Sequence, residues 1–304
     1  MIPVIPFAEG EVSLDWIALT DAMAAGHTRP RAQIGDTFLY RDPDTLLSRS
    51  AWIDGLGIAV KSATIFPGNP AHDHPVVNGG VTLYSDAFGT PEAIVDFHLV
   101  TKWKTAGDSV LAARRLAPPD TSHILIVGAG TVGHSLVQAY RALFPDASFH
   151  IWNRNQERAQ TMADHLGLIW EADLAKAVDA ADVVSCATMT TDPLIRGDWL
   201  RPGQHIDLIG AYRPDMREAD DTALQRARIF VDSYDTTLDH IGELKTPLQS
   251  GAITREAVLA DYYNLEHFVR QPDDITVFKN GGGAHLDLMT ARYILDCWNG
   301  ADRG

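Results

Sequence analysis

The chain has 304 residues, of which 45% are hydrophobic, and 40 acidic against 25 basic residues give it a formal net charge of −15. This length and composition are typical of a soluble globular protein with one large or two ordinary domains. Nucleic acids and anionic membrane surfaces are bound by clustered lysines and arginines, so the acidic balance argues against both as partners.

Cysteine usage and the start of the chain bear on the compartment. Only two cysteines occur, Cys186 and Cys297, and neither has neighbours at metal-ligand spacing. We therefore expect no disulfide framework, no metal site and a reducing compartment. The first residues lack the basic and apolar regions of a secretory signal, and no apolar run approaches the ~18 residues of a membrane span. These features predict a cytoplasmic protein.

The chain up to about residue 118 combines strand-like runs with turns rich in glycine and proline. The runs "DTFLYRD", "GLGIAVKSATIF", "GGVTLYSD" and "EAIVDFHLV" predict strands, and the turns "FPGNP" and "FGTPE" favour antiparallel hairpins. Strand alternation places Ala59, Lys61 and Ala63 on one face. If this face is exposed, Lys61 is an ordinary solvated lysine. If it borders a cleft, burial disfavours the charge of Lys61 unless an anion is present.

The stretch "VTKWKTAGDS" at residues 100–109 carries two lysines, Lys102 and Lys104, on either side of Trp103. By composition alone it is a charged linker before the helical run "SVLAARRLA", and we expect Lys102 to be solvated. The proline-rich segment "APPDTSH" that follows predicts a domain boundary at about residue 118.

Beyond this boundary, strand and helix patterns alternate. The runs "ILIVGAG", "SFHIWN", "ADVVSCAT" and "HIDLIGAY" predict strands, and "TVGHSLVQAYRALF" and "NQERAQTMADHLG" predict helices. The final run "ITVFKNGGGAHLDLMTARYILDCW" predicts a strand, a glycine turn and a closing helix. Such alternation is typical of βαβ units around a parallel sheet.

The junction "HILIVGAGTVGHSL" contains three glycines, Gly128, Gly130 and Gly133, with the spacing of a dinucleotide-binding turn. The motif follows a buried-strand pattern and opens a helix, which is the context that makes it informative. Gly128 allows the tight turn, Gly130 lets backbone N–H groups approach a pyrophosphate, and Gly133 lets the helix pack on the strand.

The end of the second strand of this region bears on the choice of cofactor. NAD sites usually place a carboxylate there for the ribose 2′-hydroxyl, whereas "IWNRNQER" offers Asn153, Arg154 and Asn155. A planar guanidinium suits a 2′-phosphate, although Arg154 is alternatively a surface residue at a helix start. The sequence therefore favours NADP(H), with NAD(H) as the alternative.

Six blocks of the chain together resemble the ornithine cyclodeaminase/mu-crystallin family, over about residues 28–296. They are "VKSATIFPGNP", "TKWKTAGDSVLAA", "ILIVGAGTVG", "IWNRN", "GAYRPDMREAD" and "ITVFKNGGGAHLDLMTA". The resemblance implies an α/β fold with a Rossmann dinucleotide-binding domain over residues 119–283. It also implies an α+β substrate-binding domain over residues 1–118 with a mainly antiparallel sheet, joined by the C-terminal helix 284–304 and forming a homodimer.

The resemblance also implies site residues. Lys61 matches the family's active-site lysine, and Arg31 and Lys104 join it in binding the substrate carboxylate. The family's "RTAA" block reads "KTAG" here, so that Lys104 offers a point charge in place of a two-pronged guanidinium. Asp287 matches the usual acid. The implied cofactor residues are Thr105, Ala106, Gly128, Gly130, Thr131, Val132, Gly133, Asn153, Arg154, Thr188, Lys279, Asn280 and Gly282.

The family comprises cyclodeaminases, L-alanine dehydrogenases and NAD(P)H-dependent imine reductases. True cyclodeaminases carry an aspartate where this chain has Tyr212, and "LSRSAW" lacks the family's usual Met-Pro. We therefore expect a reductase of a small cyclic imino acid, with conversion of Δ1-pyrroline-2-carboxylate to L-proline preferred. The alternatives are an alanine-type dehydrogenase or iminosuccinate reductase, an ornithine cyclodeaminase, and an NADPH-dependent binding protein of the mu-crystallin type. By residue type, His27, His72 and His74 are alternative acids.

Overall fold

The computed structural model describes residues 2–301. The strands are β1 Val4–Ile5, β2 Gln33–Arg41, β3 Asp44–Ile53, β4 Gly57–Ile65, β5 Val77–Tyr84, β6 Pro91–Asp96, β7 His123–Val127, β8 Ser148–Trp152, β9 Ile169–Trp170, β10 Val183–Cys186, β11 His205–Leu208, β12 Arg228–Val231, β13 Val258–Ala260 and β14 Thr276–Lys279. The α-helices are α1 Phe7–Glu11, α2 Trp16–His27, α3 Phe97–Leu116, α4 Thr131–Leu143, α5 Gln156–Leu166, α6 Leu174–Ala180, α7 Asp221–Arg226, α8 Tyr234–Thr237, α9 Gly242–Ser250 and α10 Ala284–Ala301.

The chain divides into two compact units. The first combines the residues up to 104 with those from 283 onwards, and the second consists of residues 105–282. The division falls inside α3, whereas the sequence places a boundary at residue 118. The two positions differ because α3 is continuous up to Leu116, so the proline-rich segment ends a helix and does not separate the units. Of the predicted closing helix, residues 302–304 lie outside the described residues.

The first unit is built on a six-stranded sheet with the order β1-β6-β5-β4-β3-β2. Strands β1 and β6 are parallel and all other neighbouring pairs are antiparallel, which confirms the predicted mainly antiparallel sheet. Helix α10 packs against β3 and β4. On β4, Ala59, Lys61 and Ala63 all lie on the buried face, so the interpretation of Lys61 as a solvated lysine is wrong.

The predicted strand "EAIVDFHLV" is wrong in its second half. Strand β6 ends at Asp96, whose Oδ1 accepts a hydrogen bond of 2.9 Å from the N–H of Leu99 at the start of α3. This contact satisfies one of the unpaired N–H groups of a helix start, so the chain turns helical at Phe97. Residues 100–109 are consequently helical and do not form a linker.

Lys102 is not solvated, contrary to the expectation from the sequence. Its Nζ lies 2.6 Å from Glu11 Oε1, and its side chain is only 18% exposed. The same carboxylate oxygen accepts a bond of 2.9 Å from Trp103 Nε1, and the Trp103 ring stacks on Trp16. The N-terminal helices thus cover this part of α3, which sequence periodicity does not reveal.

The second unit is an eight-stranded, wholly parallel sheet with the order β13-β12-β14-β11-β10-β7-β8-β9. The chain runs from β7 outwards to β8 and β9, then returns to place β10 on the other side of β7. The carboxyl ends of the strands at this reversal are where doubly wound sheets bind dinucleotides. The Rossmann prediction is confirmed. Within residues 2–301, no helix has both the length and the apolar character needed to cross a membrane.

Candidate active site and dinucleotide site

Lys61 is buried in the first unit and is held there by side chains of two helices, α3 and α10. Its Nζ donates hydrogen bonds of 2.8 Å to Asp287 Oδ1 on α10 and of 2.9 Å to Thr101 Oγ1 on α3. It also lies 4.7 Å from the centre of the Phe97 ring, within cation–π range. The ammonium group is thereby fixed in position.

The electrostatics of this pair favour an easily released proton. Burial lowers the pKa of Lys61, the Asp287 carboxylate opposes that effect, and the charges of Lys104 and Arg49 add to it. Burial by itself raises the pKa of Asp287, but Lys61 and Lys104 hold it below its ordinary value. Asp287 therefore stays ionised at neutral pH, while Lys61 gives up its proton more readily than an exposed lysine.

Further cations surround the pair. Lys104 is buried, and Arg49 on β3 lies directly opposite Lys61 in the antiparallel register. Arg31 is exposed, yet its charge contributes to lowering the pKa of His285 on α10. The predicted substrate residues Arg31, Lys61 and Lys104 thus lie in one unit, and the cationic surroundings suit an anionic ligand.

The histidines proposed as alternative acids differ in their environments. His72 and His74 are exposed. His27 is buried, its Nδ1 lies 2.8 Å from the Met23 carbonyl oxygen, and burial lowers its pKa to about 4. Its ring meets that of His285 edge to face, at 5.4 Å between centres, and burial lowers the pKa of His285 well below the ordinary value. Both buried rings are neutral near pH 7, so neither is present as the imidazolium that donates a proton.

The glycines of the dinucleotide motif serve different purposes. Gly128 has φ +119°, and a Cβ on it would lie 2.7 Å from the Ala187 carbonyl oxygen; one on Gly133 would lie 2.2 Å from the Gly128 carbonyl oxygen. Packing therefore requires both. A Cβ on Gly130 would meet no atom of residues 2–301 within 4 Å, so packing among these residues does not explain this glycine. The open space lies at the first residues of α4, where unpaired N–H groups and the helix dipole fit a pyrophosphate.

Beside this turn, the residues after β8 form an ordered edge. Asn153 Oδ1 accepts a bond of 3.3 Å from the Ala129 N–H, and its Nδ2 donates to the Asn155 carbonyl oxygen at 2.9 Å. Asn155 also caps α5, since its side chain accepts from the Arg158 N–H. Arg154 lies between these two asparagines and is exposed.

Glu218 is a buried carboxylate that sequence reasoning missed. Its Oε1 accepts from the N–H of Thr188 at 2.7 Å and from the hydroxyl of Thr188 at 2.9 Å. Its Oε2 accepts from the N–H groups of Gly210 and Ala211 at 2.6 and 3.2 Å. One side chain thus ties the segments after β10 and β11 together at the edge where dinucleotides bind. The block "MREAD" contains Glu218, but nothing in the sequence indicates its burial.

The predicted residues at the end of β14 and directly after it belong to the same edge. Lys279 is fully buried, and its Nζ donates to the carbonyl oxygens of Leu208 and Asn280 at 2.9 and 2.8 Å. The Asn280 side chain donates to the Thr105 carbonyl oxygen at 3.1 Å, and the Gly282 N–H donates to Asp232 Oδ2. The ammonium of Lys279 therefore supports this edge from inside the unit.

The other predicted cofactor residues lie on two helices of the same unit. Thr105 and Ala106 are in α3, with Ala106 fully buried. Thr131 and Val132 form the first turn of α4. Tyr212, expected where cyclodeaminases carry an aspartate, is exposed in the loop after β11.

Known proteins resemble this chain over almost its whole length. The Δ1-pyrroline-2-carboxylate reductase of Paracoccus denitrificans is 51% identical over 301 residues, covering 95% of each chain. The ketimine reductase mu-crystallin of Rattus norvegicus is 30% identical over 246 residues, covering 80% of this chain and 76% of that protein. The structure of Thermococcus litoralis Δ1-pyrroline-2-carboxylate reductase in complex with NADH and L-proline shares the fold, with a TM-score of 0.88, 21% identity and coverage of 99% and 98% of the two chains.

The family resemblance of the sequence blocks is confirmed by a match that extends over most of the chain. Residues 53–302 fit the model of the ornithine cyclodeaminase/mu-crystallin family, a span that includes Lys61, the glycine turn and Asp287. The relatives just described agree with this match across both units. The protein belongs to the ornithine cyclodeaminase/mu-crystallin family.

Proposed function

We propose that this protein is an NAD(P)H-dependent reductase that converts Δ1-pyrroline-2-carboxylate to L-proline. The observation that carries the proposal is the buried Lys61–Asp287 pair with Lys104 and Arg49 beside it, a cationic pocket with a fixed proton donor. The 51% identity to the Paracoccus denitrificans enzyme of that name supports the choice of substrate. In this proposal the first unit binds the imino acid and the second binds the cofactor.

The chemistry divides between cofactor and protein. Reduction of a C=N bond needs a hydride at carbon and a proton at nitrogen, and a bound nicotinamide supplies the hydride. Lys104 and Arg31 hold the substrate carboxylate through charge-assisted bonds. The Lys61 ammonium holds at Nζ the proton that goes to the imine nitrogen. Its lowered pKa makes it a better proton donor at neutral pH than an ordinary lysine.

The second unit offers a cradle that fits a dinucleotide. The backbone of Gly130, Thr131 and Val132 would hold the pyrophosphate, and Thr188 and Asn280 would help to hold the nicotinamide. The support is the unfilled space at Gly130 and the fixation of Thr188 by Glu218. Lys279 acts indirectly, by holding the Asn280 carbonyl oxygen.

We further propose NADP(H) as the preferred cofactor, with its 2′-phosphate bound by Arg154. The variant Arg154→Asp should shift the ratio of kcat/KM with NADPH to kcat/KM with NADH towards NADH, by about tenfold or more, because a carboxylate repels the 2′-phosphate and accepts the 2′-hydroxyl. Steady-state kinetics with both cofactors measure this ratio. Arg115→Asp, an exposed arginine at the end of α3, is the matched control. An unchanged ratio in Arg154→Asp would place the 2′-phosphate elsewhere.

The reaction itself is tested with a panel of imines. We expect absorbance at the nicotinamide band to fall when Δ1-pyrroline-2-carboxylate is added to the protein with NADPH, and L-proline to form. The six-membered analogue, and pyruvate with ammonia or methylamine, complete the panel. Absence of cofactor oxidation with every imine contradicts the reductase proposal. Proline formed from ornithine without added reductant favours a cyclodeaminase instead.

The outer face of the six-stranded sheet supports a homodimer. On this face Leu39, Leu46, Trp52 and Ile94 are 37–61% exposed, forming an apolar surface opposite the face that carries Lys61. Burying it against a second copy removes this apolar area from water. We expect Ile94→Glu to convert a dimer into a monomer in light scattering, whereas Val12→Glu, exposed outside the sheet, does not. A dimer that survives Ile94→Glu argues for another interface.

The chemistry of the cysteines agrees with a cytoplasmic location, which we include in the proposal. Cys186 is buried and Cys297 half-buried, and both are free thiols. Free thiols persist where the compartment is reducing.

A further inference from the structure

We propose that Arg49 orients the substrate carboxylate in this protein, supplying the two-pronged contact that Lys104 cannot make. The proposal rests on the proposed function in one respect, that the ligand of this pocket is a small carboxylate. It assigns a substrate role to a β3 residue outside the set Arg31, Lys61 and Lys104.

The sheet register places Arg49 beside the reacting group. Arg49 pairs directly with Lys61 across the antiparallel strands β3 and β4, and such partners share a face with Cβ atoms about 5 Å apart. That face also carries the fully buried Val81. The Arg49 charge acts on Lys61, Asp287 and His285, contributing to the lowered pKa of each. Its guanidinium is therefore close to the atoms that the mechanism uses.

The orientation of Arg49 is fixed from the far side. Asp36 on β2 accepts from Arg49 Nε at 3.1 Å and from Nη2 at 2.9 Å, so the plane of the guanidinium is set by a carboxylate on the neighbouring strand opposite to the strand of Lys61. A guanidinium held in this way is pre-organised, and less side-chain entropy is lost when it binds an anion. The side chain is 26% exposed, which leaves it accessible to a ligand.

The charges of the cluster favour an anionic ligand. Directly opposite like charges on neighbouring strands are destabilising unless they are compensated. Arg31, Arg49, Lys61 and Lys104 bring four positive charges, and Asp36 and Asp287 bring two negative ones. Lys61 is committed to Asp287 and Thr101, and Lys104 is a point charge without preferred geometry. A monocarboxylate is therefore attracted by the excess positive charge and aligned by Arg49.

This division of labour predicts both a loss and a rescue. In Arg49→Met, KM for Δ1-pyrroline-2-carboxylate should rise at least about tenfold, with a smaller change in kcat and an unchanged Kd for NADPH, because a charge-assisted contact is removed from substrate alone. Adding Lys104→Arg to Arg49→Met should bring KM most of the way back to the wild-type value, since it places a guanidinium at the buried position 104 in addition to that of the exposed Arg31. Arg49→Lys, which keeps the charge without the planar fork, should fall between the wild type and Arg49→Met. Arg41→Met, on the neighbouring strand in an exposed pair with Asp44, is the matched control and should leave KM unchanged.

The readouts separate this inference from the proposed function. Calorimetry with pyrrole-2-carboxylate, a planar carboxylate, on the NADPH-loaded protein reports binding without turnover. If the wild type reduces no imine, the proposed function fails, while loss of pyrrole-2-carboxylate binding in Arg49→Met still supports the role of Arg49. Unchanged KM and Kd in Arg49→Met overturn it. A loss that Lys104→Arg does not restore, or that Arg49→Lys fully restores, also overturns it, because a planar fork is then not what the pocket needs.

Discussion

Replacing Lys61 by alanine is expected to lower kcat for the imino acid by about 10²- to 10⁴-fold, the range typical for loss of a positioned proton donor. The ammonium is fixed by Asp287 and Thr101, so neither water nor a neighbouring side chain enters the same position with the same orientation. Lys61 belongs to the first unit, whereas the glycine turn belongs to the second. The Kd for NADPH, measured by fluorescence titration, should therefore stay within about threefold of the wild-type value.

The matched control is Lys102→Ala, which removes a lysine of the same unit whose partner is Glu11. It should retain the turnover of the wild type. Lys61→Met, which preserves the volume of the stem without the charge, should be as inactive as Lys61→Ala. Full activity in Lys61→Met would show that the proton comes from another group, and a parallel loss of NADPH affinity would argue against a role on the substrate side.

The parts of the fold that the sequence predicts well are those with a local signature. A buried apolar strand, three glycines and an amphipathic helix in direct succession identify the Rossmann unit without long-range information. The sequence block around Lys61 indicates its role through the family resemblance. Alternation alone left open whether its face was exposed, and only the packing of α10 against β3 and β4 shows that it is buried.

The parts that were missed depend on contacts between distant residues. Arg49 acquires its significance from strand register, and Glu218 from the two segments whose N–H groups meet on its carboxylate. The spacing of residues along the sequence indicates neither which residues pair across neighbouring strands nor which distant segments meet at one side chain. The prediction of a solvated Lys102 is wrong for the same reason, because its partner Glu11 is far away in sequence.

Asp287→Asn is expected to move the alkaline limb of the kcat/KM profile to lower pH. Asp287 is the group that raises the pKa of Lys61, while burial, Lys104 and Arg49 lower it. Asparagine keeps the shape and removes the charge, so the pKa of Lys61 falls further and the protonated form is lost at lower pH. Profiles of kcat/KM against pH for the wild type and Asp287→Asn measure the displacement. Asp54→Asn, an exposed acid of the same unit, should leave the profile in place.

The same substitution should destabilise the fold in a pH-dependent way. Removing one partner of a buried ion pair typically costs about 3–5 kcal/mol, since the remaining charge stays buried without compensation. In the wild type the lowered pKa of Asp287 means that its stabilising contribution is present above its unfolded pKa and is lost as the pH falls through the folded one. In Asp287→Asn the buried, charged Lys61 destabilises the folded state, and its folded pKa lies below its unfolded pKa. The full destabilisation is therefore present below the folded pKa. It disappears above the unfolded pKa, where the lysine is neutral in both the folded and the unfolded state.

Urea unfolding should therefore show a larger difference in free energy between the wild type and Asp287→Asn at neutral pH than in the alkaline range. An alkaline limb that stays in place, together with a stability difference independent of pH, would mean that Lys61 is not the titrating group. If the alkaline limb moves to lower pH and the difference in unfolding free energy narrows in the alkaline range, both effects arise from the loss of one proton from Lys61 Nζ. The catalytic proton and the cost of the buried charge are then one property of the same pair.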